Sequence, residues 1–147
     1  MNLHTSITRI VLSFLLLAPV WTFAQERIIP NDKIPSAIQQ YVKSHFPSHT
    51  IVLAELEVEG VSKEYEVKLN DKTELKFDKK FKVFKIDGTV ALPESVIPEA
   101  IRQYVKKHYP NNFITDWEKE WKHQEVKLDN GIEIEFTLKG NFIRIDY

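Results

Sequence analysis

Fourteen residues occur twice in this chain, and that duplication limits what it can fold into more than any other feature. Residues 34–47 read IPSAIQQYVKSHFP and residues 97–110 read IPEAIRQYVKKHYP, identical at ten positions. Each copy has a proline near its start and a proline at its end. Between them Ala37, Ile38, Tyr41, Val42 and Phe46, and their counterparts Ala100, Ile101, Tyr104, Val105 and Tyr109, recur at helical spacing. Apolar residues at i, i+3, i+4 and i+8 form one stripe of an amphipathic helix. The closing prolines stop it, because the residue before a proline is pushed out of the α region. The spacing therefore predicts helices over about 35–45 and 98–108. Asn31 or Asp32 is the expected cap of the first.

The segment after each helix alternates with period two. In the first copy Val52, Ala54, Leu56 and Val58 stand against Glu55, Glu57 and Glu59. Tyr65, Val67 and Leu69 then stand against Glu64, Glu66 and Lys68, and Leu75 and Phe77 against Glu74 and Lys76. A fourth run, 81–87, closes the unit. Short turns separate the runs, so each reads as an antiparallel meander with one dry and one wet face. The second copy repeats the pattern over about 113–121, 123–129, 131–138 and 141–146, with an Asn130-Gly131 hairpin signal. The offset between copies is 63 in the helices and 59 in the later strands. The second copy is thus shorter by four residues around its first hairpin. Duplicated supersecondary units of this kind share a core. The expected fold class is α+β: two tandem α-β-β-β-β repeats, each a helix packed on a four-stranded antiparallel sheet.

The N-terminus reads differently. Arg9 precedes the apolar run Ile10–Ala18, Pro19 breaks it, and Thr22-Phe23-Ala24 offers a cleavage site. This is the layout of a signal peptide, and the run is too short for a spanning helix, which needs about 20 apolar residues. The expected organisation is a signal peptide over 1–24, a first repeat over 25–88, in which 25–33 is a short polar lead, and a second repeat over 89–147. An exported location follows, the periplasm or the exterior, with no stable membrane insertion after cleavage. The leader holds one arginine and no acid, which leaves 19 basic and 21 acidic side chains in the processed chain. That balance speaks against nucleic acid, which demands a basic footprint. The chain has no cysteine, which excludes disulfides and thiolate chemistry. A unit of about 60 residues buries only about 60% of its surface and is marginal alone, so the repeats are expected to pack on each other.

The helix pattern I/L-P-x-x-I-x-x-Y/F-x-x-x-x-Y/F-P, followed by a meander with Tyr65-x-Val67-x-Leu69, resembles the exported PepSY-like family, also described as beta-lactamase-inhibitor-like, of Gram-negative bacteria. The resemblance covers about 34–87 and 97–146. It implies helices packed on antiparallel sheet. It further implies partner binding, since the similar beta-lactamase inhibitors bind an enzyme through their sheet surface. Those inhibitors carry disulfides, which this chain lacks. The family offers no catalytic residue to carry over.

Local chemistry points the same way. None of Ser36, Ser44, Ser48, Ser62 and Ser95 sits in a strand-turn-helix elbow. His45 and His108 occupy equivalent helix ends, where the C-terminal carbonyls favour partial positive charge. His45 and His49 straddle Pro47, but two ligands without a third make a weak metal site. The carboxylates alternate with apolar residues, as on a solvated sheet face laced by cross-strand ion pairs. Neither an enzyme nor a cofactor or metal is expected. The aromatics are the exception. Trp117 and Trp121 lie four apart in the second copy's first strand, where the first copy has Ala54 and Val58. With Phe113 and Tyr109 they form the expected partner-binding platform, since tryptophan and tyrosine dominate interface energetics. The expected function is a non-catalytic periplasmic binding module, inhibitor-like, recognising a protein or peptide through its sheet face. The alternative is an envelope ligand or stress sensor without inhibitory activity.

Overall fold

A computed structural model describes residues 25–146. The signal peptide expected over 1–24 lies outside the described residues. Among the described residues nine strands form a single sheet whose spatial order is the chain order. They are β1 (Gln25–Ile28), β2 (Ile51–Glu59), β3 (Ser62–Leu69), β4 (Glu74–Phe77), β5 (Val83–Asp87), β6 (Ile114–Lys119), β7 (His123–Leu128), β8 (Glu133–Thr137) and β9 (Phe142–Asp146). Every neighbouring pair is antiparallel. The helices α1 (Ser36–His45) and α2 (Glu99–His108) sit between β1 and β2 and between β5 and β6. The two repeats therefore merge: β5, the last strand of the first, pairs with β6, the first strand of the second.

Both helices close where the sequence says. Phe46 N–H donates to the Val42 carbonyl at 2.7 Å, and Tyr109 N–H to that of Val105 at 2.7 Å, each just before the stopping proline. Their starts differ from expectation. Asn31 and Asp32 do not cap α1; Asn31–Lys33 form a 3-10 turn, and Pro35 is the N-cap without a side-chain cap bond. Of the α1 stripe, Ile38, Val42 and Phe46 are buried, whereas Ala37 is exposed.

The strand pairing sets one face against the helices. Ala54, Val67, Leu75, Ile86, Trp117, Val126, Ile134 and Ile145 stand side by side across eight strands. All but Ile145 are buried, in one cluster with Ile38 and Val42 of α1 and Ile101 and Val105 of α2. Tyr41 meets Phe77 edge-on at 5.4 Å, and its counterpart Tyr104 meets Phe136 edge-on at 5.2 Å.

Two departures from the expected strands have local causes. The 25–28 segment, read as a polar lead, is a strand because Gln25–Ile28 find partners in Val58–Glu55. Val52, expected inside, is 57% exposed, because the pairing skips it between Ile51 and Leu53. This is a bulge, one extra residue that reverses the local inside-outside assignment. The same bulge recurs at Thr115, and a second kind recurs at Phe84 and Ile143. The duplication thus extends to the irregularities.

Candidate functional site

The face of the sheet away from the helices is built by the residues that alternate with the core row. One line of partners runs across all nine strands: Ile28, Glu55, Glu66, Lys76, Lys85, Glu118, Glu125, Glu135 and Arg144. Beside it run Lys68, Glu74, Asp87, Asp116, Lys127, Glu133 and Asp146. Glu26, Glu57, Glu64 and Glu59 fill the corner over β1–β3. These positions hold 14 carboxylates against five Lys and Arg side chains, an excess of nine negative charges. The remaining described residues carry seven acidic and 14 basic side chains. A chain of net charge −1 is therefore strongly polarised, acidic on the open sheet face and basic on the helix side and turns.

The lysines of the acidic face are engaged. Lys68 and Glu74 meet at 2.6 Å, and the equivalent Lys127 and Glu133 at 3.0 Å. Lys76 meets Glu66 at 3.1 Å and Lys85 meets Glu118 at 2.9 Å. These carboxylate bonds raise the pKa of all four lysines. Elsewhere acids oppose acids: Asp87 faces Asp116 across the junction between the repeats, and Glu125 stands between Glu118 and Glu135. Partial burial pushes Asp87 up, with Asp116 adding to it against the pull of Lys85. Burial likewise raises Glu125, reinforced by Glu133 and Glu118, and Glu55, reinforced by Glu26.

Those raised values carry a sign. The folded chain binds these protons more tightly than the unfolded chain, so their ionisation weakens the fold as pH rises through the raised values. Like charges directly opposite on a sheet cost a few tenths to about 1 kcal/mol. Asp87→Asn is therefore expected to raise the unfolding free energy at pH 7 by about that amount, read as a higher urea midpoint, and to flatten the gain in stability expected as the pH falls through the raised carboxylate value. A variant less stable than the parent at pH 7 would show that Lys85, not Asp116, dominates this corner.

The aromatic platform is not assembled. Trp117 is 6% exposed and belongs to the core row. Its indole Nε1 donates to Gln124 Oε1 at 3.2 Å, and Gln124 Nε2 donates in turn to the carbonyls of Thr137 and Leu138. Trp121 is 79% exposed, with the Lys122 ammonium 4.2 Å from its ring centroid. The four-residue spacing misleads because β6 ends at Lys119, so Trp121 lies in the hairpin turn and not on the strand's face. Tyr109 and Phe113 are at the opposite end of β6, beside a shallow cavity of about 370 Å³ under α2. At about 3.3 Å per strand residue, the length of β6 alone puts roughly 17 Å between its two ends.

Trp117 instead floors a cleft of about 670 Å³ between α1 and Pro98 at the start of α2, bordered by Tyr41, His45, Phe81 and Leu138. Burial pushes the Tyr41 phenol up to about 12. The histidines that straddle Pro47 are engaged separately: His45 Nδ1 lies 2.9 Å from Ser95 Oγ, and His49 Nε2 lies 3.0 Å from Asp71. Among the described residues no three His, Asp or Glu side chains are arranged to hold a metal ion. None of their helices is long and apolar enough to cross a membrane.

The charge of the open face is what reading the strands one by one missed. Its acids were legible as a wet face. Their surplus emerges only when acids and lysines of the same strand parity are summed over all nine strands.

The family described as "Putative beta-lactamase-inhibitor-like, PepSY-like" matches residues 20–85 and again 86–144. A solved structure described as a "putative calcium-regulated periplasmic protein" from Bacteroides thetaiotaomicron is similar, with 35% identity and a TM-score of 0.79 over 83% of this chain and 97% of that one. Two structures from Bacteroides vulgatus, each described as a "putative periplasmic protein", are also similar. One has 33% identity, a TM-score of 0.78, and coverage of 83% of this chain and 97% of its own. The other has 28% identity, a TM-score of 0.78, and coverage of 84% and 100%. No curated protein matches the chain.

Proposed function

Because this chain belongs to the PepSY-like, beta-lactamase-inhibitor-like family, we propose that it is a non-catalytic periplasmic module that holds a basic protein or peptide against its open sheet face. The periplasmic assignment draws on the similar proteins described as periplasmic. The observation that carries the partner's chemistry is the excess of nine negative charges on one face of the sheet. A surface of one sign raises encounter rates with the opposite sign and rejects like-charged competitors. Trp121, exposed at the β6–β7 turn, is the aromatic anchor of this reading, whereas Phe113 and Tyr109 line the cavity under α2 and are not part of it. An inhibitory role corresponds to the case in which the captured partner is an enzyme, and assay of that enzyme with and without this protein decides it.

The test is crosslinking in the native envelope, with the parent compared to a Glu55→Gln, Glu118→Gln, Glu125→Gln variant. A basic partner caught by the parent should be lost from the variant by about tenfold or more, and its binding should weaken as salt rises, since screening sets in within about 8–10 Å. An acidic partner, or equal capture by both proteins, sinks the proposal.

A second reading, an envelope ligand sensor, is favoured by the opposed Asp87 and Asp116 together with the similar protein described as calcium-regulated. Calcium would relieve repulsion on this face. A rise in melting temperature with calcium chloride, absent with sodium chloride at matched ionic strength, supports it; identical curves remove it.

A further inference from the structure

The two copies are most alike where they serve as scaffold, and several of their departures meet in one place. Trp117 stands where the first copy has Ala54, and Lys119 where it has Leu56. Phe81 stands where the second copy has Gly140, and Leu138 where the first has Lys79. All four of Phe81, Trp117, Lys119 and Leu138 line the cleft beside α1. The first repeat supplies Tyr41 and Phe81, the second Trp117 and Leu138, so neither repeat alone makes this site.

Phe81 carries a second mark. Its φ is +60°, and the equivalent Gly140 has φ +83°. The turn needs a left-handed residue in both copies, since Phe81 N–H donates to Asp78 O and Gly140 N–H to Thr137 O, each at 2.8 Å. Glycine takes this conformation freely, whereas a bulky side chain there costs on the order of 1–3 kcal/mol. The first copy thus keeps an aromatic ring at the cleft against a local backbone penalty. That ring packs on Tyr65, 5.2 Å between centroids.

The charges of the cleft are of one sign. Lys82, Lys119 and Lys139 stand at its rim, no carboxylate among the described residues lines it, and Gln40, Ser44 and His45 add hydrogen-bonding groups. Aromatic and aliphatic walls with a few convergent polar groups, in a volume of some hundreds of Å³, are the usual make-up of a small-molecule site. We propose that this cleft binds a small amphiphilic anion, with its apolar body over Phe81 and Trp117 and its carboxylate among Lys82, Lys119 and Lys139. The site is on the opposite side of the sheet from the acidic face, and it stands or falls independently of the partner proposed there.

The probe is dodecanoate, titrated calorimetrically below its micelle concentration into the whole protein. Saturable binding with one site per chain is expected, while dodecanol, which has the same body without the charge, binds at least about tenfold more weakly. Lys119→Met with Lys139→Met, two exposed side chains outside the core, should weaken dodecanoate by about tenfold or more with an unchanged circular dichroism spectrum, since charge-assisted hydrogen bonds to a carboxylate are lost. The Glu55→Gln, Glu118→Gln, Glu125→Gln variant should bind dodecanoate like the parent. Non-saturable uptake, equal affinity for dodecanol, or an unchanged affinity in the lysine variant overturns the proposal.

Discussion

Truncating Phe136 to alanine is expected to cost about 3–5 kcal/mol, a large part of the 5–15 kcal/mol that typically holds a domain folded. Phe136 is fully buried, and its ring packs edge-to-face with Tyr104 of α2. Removing it opens a cavity between helix and sheet that neither rigid element can collapse into. The same loss is expected for Phe77→Ala, its counterpart in the first repeat. The informative result is the form of the transition. Because one row of core residues runs through both repeats, either truncation should lower a single urea midpoint common to both halves. Hydrogen exchange read separately on β3 and β8 checks this. If Phe136→Ala loosens only β6–β9 while β2–β5 keep their protection, the repeats are separate folding units and the continuous core does not couple them.

Gly140→Ala is expected to cost about 2–5 kcal/mol, from two sources that can be separated. The first is conformational: φ at Gly140 is +83°, where an L side chain costs about 1–2 kcal/mol. The second is steric: a Cβ there would lie 2.7 Å from the Ala100 Cβ on α2. Overpacking of this kind typically costs about 1–3 kcal/mol. Gly131→Ala is the control, since φ is +87° and no atom lies within 4 Å of the added carbon. It should therefore show the conformational part alone. The double variant Gly140→Ala with Ala100→Gly should recover the steric part, less about 1 kcal/mol for a glycine within a helix. Thermal melts of these four proteins decide the matter. Equal losses at Gly131 and Gly140 would mean that α2 moves aside at little cost and that the turn does not set its position.

Much of the fold was written in local signals. The helices end at the prolines, and the period-two alternation marks eight of the nine strands to within about two residues. What was illegible is non-local. Gln25–Ile28 is four residues long, too short to display a pattern, and is a strand only because the outer side of β2 accepts it. Val52 and Thr115 follow the alternation in sequence and leave it in space, because a bulge is a property of two strands and not of one. Trp117 and Trp121 shared a face on the assumption that the strand continued through 121; the chain turns after Lys119 instead. The acidic face failed to announce itself for a related reason. Each strand carries an ordinary mixture of Glu and Lys, and the imbalance is distributed over the whole sheet.

The strand order has a consequence for how such a chain can lengthen. Each repeat presents its last strand to the first strand of the next, as β5 does to β6. The outer side of β9 is the counterpart of the side that β5 gives to β6. A further tandem duplication can therefore be appended there without breaking an existing pair, extending the core row by another unit. The join between the copies is in this sense a rule of growth. The sheet is open at both ends, and does not close upon itself.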